Sequence, residues 1–270
     1  GLSTLLFVAS RGSALGWASP ATLGLLGLAI ACLAAFLLAE GRAPSPLVDL
    51  SLLRNPAFLV ANALNGLANA TMFAIWLFGP TLLVTVRGHG TIPGGALLAV
   101  TAAGTAVAAP LAGRLTDRLG VGRLSTIGLV LEAIGLAAAS RVGAATPSVA
   151  IIAAFGLVGV GLGLFQVPNM SYVMGSIPRS QQGVAGSMTQ MVRTAGVVTG
   201  VAAANTLFVV RRDAHAEALD VADLASPELF TLAFRDVLVA AALVCAGAAA
   251  LSLVRPSAQE PAADEPVPHG

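Results

Sequence analysis

Charged residues are scarce in this sequence, and lysine is absent. Only 10% of its 270 residues are charged, whereas soluble proteins carry about 25%. All 14 basic residues are arginines, and 13 acidic residues balance them to a formal net charge of +1. So little charge excludes a soluble enzyme, a nucleic-acid-binding protein and a disordered chain.

Cysteine and histidine are also rare, with two and three residues respectively. Cys32 and Cys245 each lie in an apolar run, so we expect neither a disulfide framework nor a metal site. The histidines at 89, 215 and 269 have no partner at ligand spacing. We expect no cofactor, and no enzyme activity, because no converging set of His, Asp, Ser or Cys residues is visible.

Long apolar runs are abundant instead, and 56% of the residues are hydrophobic. A helix needs about 20 apolar residues to cross the hydrocarbon core of a bilayer. The segments that meet this rule are residues 20–39, 58–84, 94–112, 124–142, 149–174, 184–209 and 232–253, and residues 1–10 are typical of the end of a further span. The alternation typical of membrane β-barrels is not seen. The sequence therefore predicts an all-α, polytopic transmembrane helix bundle whose main partner is the lipid bilayer.

The polar joints between these segments predict their orientation. Residues 114–123 hold three arginines against one acid, Asp117. The positive-inside rule places this joint in the cytoplasm. Alternation then places residues 40–57, the loop around Arg179 and the C-terminal tail inside, and the joints near Arg87, Arg141 and 211–230 outside.

Proline and polar residues near position 50 divide the chain. Ser45 and Pro46, followed by leucines, predict a short interfacial helix, and Asn55 with Pro56 predicts the start of the next span. We expect residues 1–56 to hold the end of one span, one full span and the interfacial helix, residues 57–254 to form a six-helix bundle, and residues 255–270 to be a disordered cytoplasmic tail.

A line of amide side chains marks the first span of this bundle. Asn62, Asn65 and Asn69 share one helical face, which Phe73 and Trp76 continue. Amides aligned with aromatic rings suit a wet cavity that accepts small amphipathic or cationic substrates. The alternative is hydrogen bonding between helices, which contributes about 0.6–2 kcal/mol per bond in membranes.

Two later spans also contain polar side chains. Gln166 and Asn169 flank Pro168, which removes a backbone donor and can kink its helix beside a cavity. Arg193 lies one turn from Gln190, inside a span where a central arginine costs about 2.5–3.5 kcal/mol and must face protein or water. Arg193 either attracts an anionic group or donates a structural hydrogen bond to backbone carbonyls of the neighbouring helix. We assign Gln166, Asn169, Gln190 and Arg193 to the same candidate cavity as the amide line.

Glu132 is the only acidic residue at the centre of a span. A carboxyl group in the membrane interior can bind and release protons, which proton-coupled transport requires. The alternative is a neutral or helix-bonded side chain with no part in transport.

The basic joint contains the most distinctive motif of the chain. Gly113 permits close helix approach, Gly120 and Gly122 permit a tight turn, and Asp117 can cap or face the N-terminus of the next helix. Such a charged latch can break and reform as two groups of helices rock. Spacing alone fits a plain orienting loop equally well.

This motif resembles the cytoplasmic signature of the major facilitator superfamily. The matching residues are Gly113, Leu115, Asp117, Arg118, Gly120 and Arg123. Val121 and Gly122 stand where that family usually has basic residues. A second set of motifs is similar to the fourteen-span drug:proton antiporter branch of that superfamily. The motifs that resemble its late spans lie at residues 159–163, Pro168, 177–178, 183–187, Arg193 and Gly196. Those that resemble its middle region lie at residues 16–20 and 46–58.

The resemblance implies the major facilitator fold, with this chain as its C-terminal part. The chain would hold the linker spans and the six-helix C-terminal half, and a missing N-terminal half would supply the other wall of the cavity. Gly113, Asp117, Arg118, Gly120 and Arg123 would form the cytoplasmic gate. Protons would drive transport by alternating access.

A short internal repeat fits the same class of protein. Residues 101–104 with Ala108 are echoed three spans later by residues 194–196 with Gly200. Two three-helix repeats in each half are typical of such transporters.

We therefore predict the C-terminal part of a proton-driven exporter of drugs or other small molecules in a bacterial inner membrane. Its partners would be a small amphipathic or cationic substrate, protons and the N-terminal half, with no role for nucleic acid. The alternative is a non-transporting membrane fragment, or a half-unit that requires a partner chain. We also expect the chain to be truncated, because it opens abruptly on an apolar tract without methionine. The alternative is removal of an initiator methionine before Gly1, which would give the same start.

Overall fold

The computed structural model describes residues 54–254, together with residue 52 and isolated positions from 19 to 35. The predictions for residues 1–10, for the span 20–39, for the interfacial helix and for the tail 255–270 therefore lie wholly or largely outside the described residues.

The described chain is built from long helices. They are α1 (Pro56–Thr81), α2 (Thr91–Leu119), α3 (Val121–Ala139), α4 (Ser148–Gly175), α5 (Gln182–Leu219) and α6 (Pro227–Leu253). A π-helical turn, Leu82–Val86, extends α1, and a 3-10 turn, Arg179–Gln181, precedes α5. All six helices are long and apolar enough to cross a membrane. The predicted all-α class is confirmed, and within residues 54–254 the six predicted spans all form helices.

Two of these helices begin with a polar cap followed by proline, and the sequence predicts the first of them, at Asn55 and Pro56. The side-chain oxygen of Asn55 accepts from the backbone N–H groups of Ala57 at 2.9 Å and Phe58 at 3.3 Å. Pro56 follows in the first turn, where its missing N–H costs nothing. Ser226 and Pro227 start α6 in the same way. The Asn55 amide also donates to the Ser176 carbonyl at 3.0 Å, which ties the start of α1 to the end of α4.

Two predicted joints are largely helical, which corrects the predicted boundaries. α2 continues through most of the basic joint to Leu119, and α3 starts at Val121. Gly120 alone makes the turn, with a positive φ of 80° that a side chain would strain. The joint predicted at 211–230 shrinks to residues 220–226 because α5 extends to Leu219. The length of an apolar run predicts only the part of a helix that lies in the hydrocarbon core. The helix itself continues into the polar region, because its backbone hydrogen bonds do not depend on apolar side chains.

Taken in chain order as two sets of three, α1–α3 and α4–α6, the helices make their closest contacts between the sets. α2 packs closely on α4, and α5 packs closely on α1. A Cβ atom at Gly104 would lie 2.8 Å from the Gly156 carbonyl oxygen, and one at Gly196 would overlap the backbone of Gly66. The second helix of each set therefore approaches the first helix of the other set through glycine. This reciprocity supports the three-helix repeat that the sequence suggests.

One end of the bundle is tied together by Arg87. Its guanidinium donates to the carbonyl oxygens of Gly143, Ala144 and Thr146, at 3.1 Å for Ala144 and 2.5 Å for Thr146. The turn after α1 and the loop between α3 and α4 therefore lie at the same end, as alternating spans require.

Candidate functional site

The three asparagines of α1 are buried inside the described bundle. Asn62, Asn65 and Asn69 expose 4%, 6% and 0% of their surface. Asn65 donates to the Thr189 carbonyl oxygen of α5 at 3.3 Å, and Asn69 donates to the Asn65 carbonyl oxygen at 2.8 Å. Asn62 donates only within its own helix, to Phe58. Two of these amides thus make the interhelical bonds of the alternative interpretation, and none lies open on a cavity wall in the described part of the chain.

The side-chain oxygen of Asn69 is the point at which three helices meet. Gln166 of α4 donates to it at 3.3 Å, and the Nε of Arg193 on α5 donates to it at 3.1 Å. Because the Asn69 nitrogen already donates to Asn65, its oxygen is turned towards these two donors. Gln166 and Arg193 are both half-buried, so each also reaches the edge of the bundle. We call Asn69, Gln166 and Arg193 the polar triad.

Asn169 and Gln190 each lie about one turn from the polar triad, both towards the end of the bundle where α4 ends and α5 begins. Asn169 is buried, and it donates to the Ala61 carbonyl oxygen of α1 at 3.1 Å. Gln190 is exposed and has no hydrogen bond from its side chain within residues 54–254. An uncovered amide at this depth is unfavourable against lipid, so this face of α5 is suited to water or protein.

Aromatic side chains extend the same face of α1. Phe73 is half-buried, and Trp76 exposes 37% of its surface. Trp76 lies seven residues beyond Asn69, which is about 10 Å along a helix. A molecule of drug size can therefore span from the triad to the indole ring.

Glu132 faces inwards although its helix lies at the side of the bundle. The carboxyl group is fully buried and accepts from the Thr71 hydroxyl of α1 at 3.1 Å. Its second oxygen has no hydrogen-bond partner in the described part of the chain. Cys245 of α6 lies in the same place and donates to the Leu129 carbonyl oxygen at 3.4 Å. No ion pair of the described residues includes Glu132, so the carboxyl group has no cationic partner there.

The residues of the predicted gate line the joint between α2 and α3. Gly113, Asp117, Arg118, Gly120 and Arg123 are all exposed. Asp117 does not cap α3, which corrects one expectation, because the cap position is Gly120 and no side chain bonds there. Arg118 lies in the last turn of α2, where a cation interacts favourably with the helix dipole. Neither Asp117 nor Arg118 makes a side-chain hydrogen bond to another described residue, so both are free to meet a further element.

A cavity of about 800 Å³ lies on a different side of α1 and α5, where α6 closes it. Small apolar residues such as Ala63, Ala70, Gly200 and Ala241 line it, and Thr71 is among its few polar groups. None of the predicted cavity residues lines this space. The polar triad and this apolar cavity are therefore separate features.

Sequence reasoning missed the partners of the key side chains. Thr71, which bonds Glu132, and Thr189, which bonds Asn65, are single threonines that give no pattern of their own. It also missed a surface cluster in which Arg211 and His215 of α5 contact Asp236 of α6 at 2.5 Å and 2.8 Å. This cluster was hidden because the sequence placed both α5 residues in a loop.

Apolar helices that bury amide, carboxyl and guanidinium groups between them define a polytopic membrane protein with a polar interior. The profile of the Major Facilitator Superfamily matches residues 2–201. The chain belongs to this superfamily, a family of membrane transporters and not of enzymes, and is a multi-pass protein of the bacterial cell membrane.

Curated relatives carry transport and resistance names. The chain is 32% identical over 203 residues to a tetracycline resistance determinant of Streptomyces rimosus, covering 74% of this chain and 58% of the relative. It is 28% identical to the tetracenomycin C resistance and export protein of Streptomyces glaucescens, covering 74% and 37%. It is 27% identical to the riboflavin transporter RibZ of Clostridioides difficile, covering 69% and 40%. The chain thus spans only about a third to three-fifths of the length of these relatives.

Proposed function

We propose that this chain forms one side of a proton-coupled exporter of small amphipathic molecules, which works by alternating access. The polar triad is the observation that carries the proposal. It joins α1, α4 and α5 at a half-buried edge of the bundle. The relatives named for drug resistance, export and transport support a small organic substrate.

In this proposal, residues 57–254 are the C-terminal half of the transporter. The opposite wall of the substrate passage comes from a second helical unit. α2 and α5 are the least buried of the six described helices, at 22% and 17% of their most apolar stretches. Gln190 on α5 supports pairing with another protein surface or water, because an exposed amide is costly in lipid. Whether the second unit is part of the same polypeptide or a partner chain does not alter this role.

In this proposal, the residues at the half-buried edge of the bundle contact the substrate. Gln166, Gln190 and Arg193 supply polar contacts, and Phe73 with Trp76 supply aromatic surface. The asparagines of α1 and Asn169 position these groups from inside the bundle. This division follows from burial, since the asparagines have almost no exposed surface.

Glu132 is the proposed proton-binding group of this half. Its hydroxyl partner Thr71 lies on α1, the helix that also carries Asn69. A change in the charge of Glu132 would therefore act on the helix that orients Arg193. Asp117 and Arg118 at the end of α2 are the proposed cytoplasmic gate, with Gly120 as its hinge.

Transport by the complete protein tests the proposal. Everted membrane vesicles from bacteria that lack their own exporters would accumulate fluorescent substrates when energised, and an uncoupler would abolish the uptake. Gln166→Leu should reduce uptake several-fold. Ser171→Ala on the same helix is the matched control, because Ser171 is exposed and bonds only its own helix, at Val167.

Two outcomes contradict the proposal. Uptake that persists with the uncoupler would remove proton coupling. Equal uptake by the Gln166→Leu variant, the Ser171→Ala variant and the unchanged protein would remove the polar triad from the transport path.

A further inference from the structure

In the part of the chain that the structure describes, the guanidinium group of Arg193 is anchored by one hydrogen bond and has no counter-ion. Its Nε donates to Asn69 at 3.1 Å, and no other hydrogen bond of its side chain is found within residues 54–254. The ion pairs of the described residues involve Arg211, Arg212 and His215 instead. Both terminal nitrogens of Arg193 are therefore available to an acceptor.

The anchor fixes the direction in which the guanidinium points. Asn69 is fully buried and its amide is oriented by bonds to Asn65, so its oxygen holds the Nε side of Arg193 against the bundle. Arg193 is half-buried, which leaves the other edge of the fork towards the uncovered face. A guanidinium fork held in this way matches two oxygens of one planar anion.

No acidic side chain of the described residues bonds to the polar triad. Gln166 also donates towards Asn69, and Trp76 offers an exposed indole ring about 10 Å along α1. The carboxyl group of Glu132 bonds Thr71 and is fully buried, so it cannot receive a cationic ligand at this face. The local field around the triad is thus positive.

Resting on the proposed function, we propose that Arg193 selects substrates that carry an anionic oxygen on an aromatic body. A carboxylate, enolate or phenolate oxygen pairs with the guanidinium, and the ring system lies along the aromatic face of α1. A permanent cation is repelled at the same place. This narrows the substrate class that the sequence suggests, which included cationic molecules.

Two xanthene dyes of similar size test the proposal with the complete transporter. Fluorescein is negatively charged at neutral pH, and rhodamine 123 is positively charged. We expect the purified wild-type protein in detergent to bind fluorescein more tightly, as measured by fluorescence anisotropy. Arg193→Gln should lower the ratio of the two affinities by about tenfold or more, because a hydrogen bond to a charged group is lost.

Two further variants make the result specific. Arg193→Lys keeps the charge and loses the fork, so it should retain part of the preference. Arg179→Gln removes an exposed arginine just before α5 and should leave the ratio unchanged. The preference of the wild-type protein for fluorescein over rhodamine 123 is measured without any variant. The proposal is therefore tested even if Arg193→Gln fails to fold.

The outcomes separate this inference from the proposed function. Transport of both dyes with no preference for fluorescein, or an equal loss of both affinities in Arg193→Gln, overturns the inference and leaves the exporter intact. An equal loss would indicate that Arg193 pairs with a carboxylate of the other half. Failure of the wild-type protein to bind or move either dye counts against both.

Discussion

Replacing Asn69 by leucine removes the acceptor on which Gln166 and Arg193 converge. Two bonds between helices are lost, at 3.3 Å and 3.1 Å. Polar bonds inside membrane proteins contribute about 0.6 kcal/mol on average and up to about 1.7 kcal/mol. The free energy of unfolding should therefore fall by about 1–3 kcal/mol, which corresponds to roughly 2–12 °C in melting temperature for a protein of this size.

Asn62→Leu is the matched control for this prediction. Asn62 lies on the same face of the same helix, and its exposed fraction is 4% against 0% for Asn69. Its amide donates only to Phe58 in its own helix, and its side-chain oxygen has no partner among the described residues. Leucine removes an unsatisfied acceptor there, so the melting temperature should change little or rise.

The assay is the thermal stability of the purified transporter in detergent. Samples are heated, and size-exclusion chromatography then measures how much folded protein remains. Both variants and the wild-type protein are compared at one detergent concentration. Equal losses at the two positions, or a larger loss at Asn62, would refute the reasoning, because the triad would then contribute no more than any buried amide.

Three other substitutions give distinct results. Glu132→Gln should flatten the pH dependence of export in energised vesicles, and an unchanged pH profile would remove Glu132 from coupling. Asp117→Asn should slow transport several-fold. The amount of folded protein should stay constant, because Asp117 is exposed and makes no bond within the described bundle. A normal transport rate would mean that Asp117 serves only to orient the protein in the membrane. Arg87→Gln should lower the melting temperature, because the loss of the Arg87 bonds to the 143–146 loop reduces the free energy of unfolding by about 1–3 kcal/mol. An unchanged melting temperature would contradict that anchoring role.

The helical class and the position of each span could be predicted because bilayer thickness dictates the length of an apolar run. The helix ends could not be predicted from that rule. α5 continues through Arg211, Asp213 and Glu217 to Leu219, since alanine, arginine and glutamate favour helix beyond the hydrocarbon core. The joint between α2 and α3 is also shorter than predicted, because Gly120 alone, with its positive φ, makes the turn for which the sequence predicted a loop.

The candidate site was predictable in its residue types and not in its geometry. The spacing of Asn62, Asn65 and Asn69 predicts a shared face, but periodicity does not say whether that face meets water or another helix. The structure turns this face inwards, and the partner of Arg193 is an amide side chain of α1 where a backbone carbonyl was expected. Such pairings depend on helix rotation and crossing, which no local pattern specifies.

Cysteine labelling of the α5 face tests the central claim that this face borders a water-accessible path. In the complete transporter, with Cys32 and Cys245 replaced by alanine, single cysteines would be placed at Gln190 and Thr194. Leu243 of α6, which exposes 69% of its surface on an apolar face, is the matched lipid-facing position. We expect a membrane-impermeant maleimide to label positions 190 and 194, less so with substrate bound, and to leave position 243 unlabelled. Labelling at 243 with none at 190 and 194 would contradict the account.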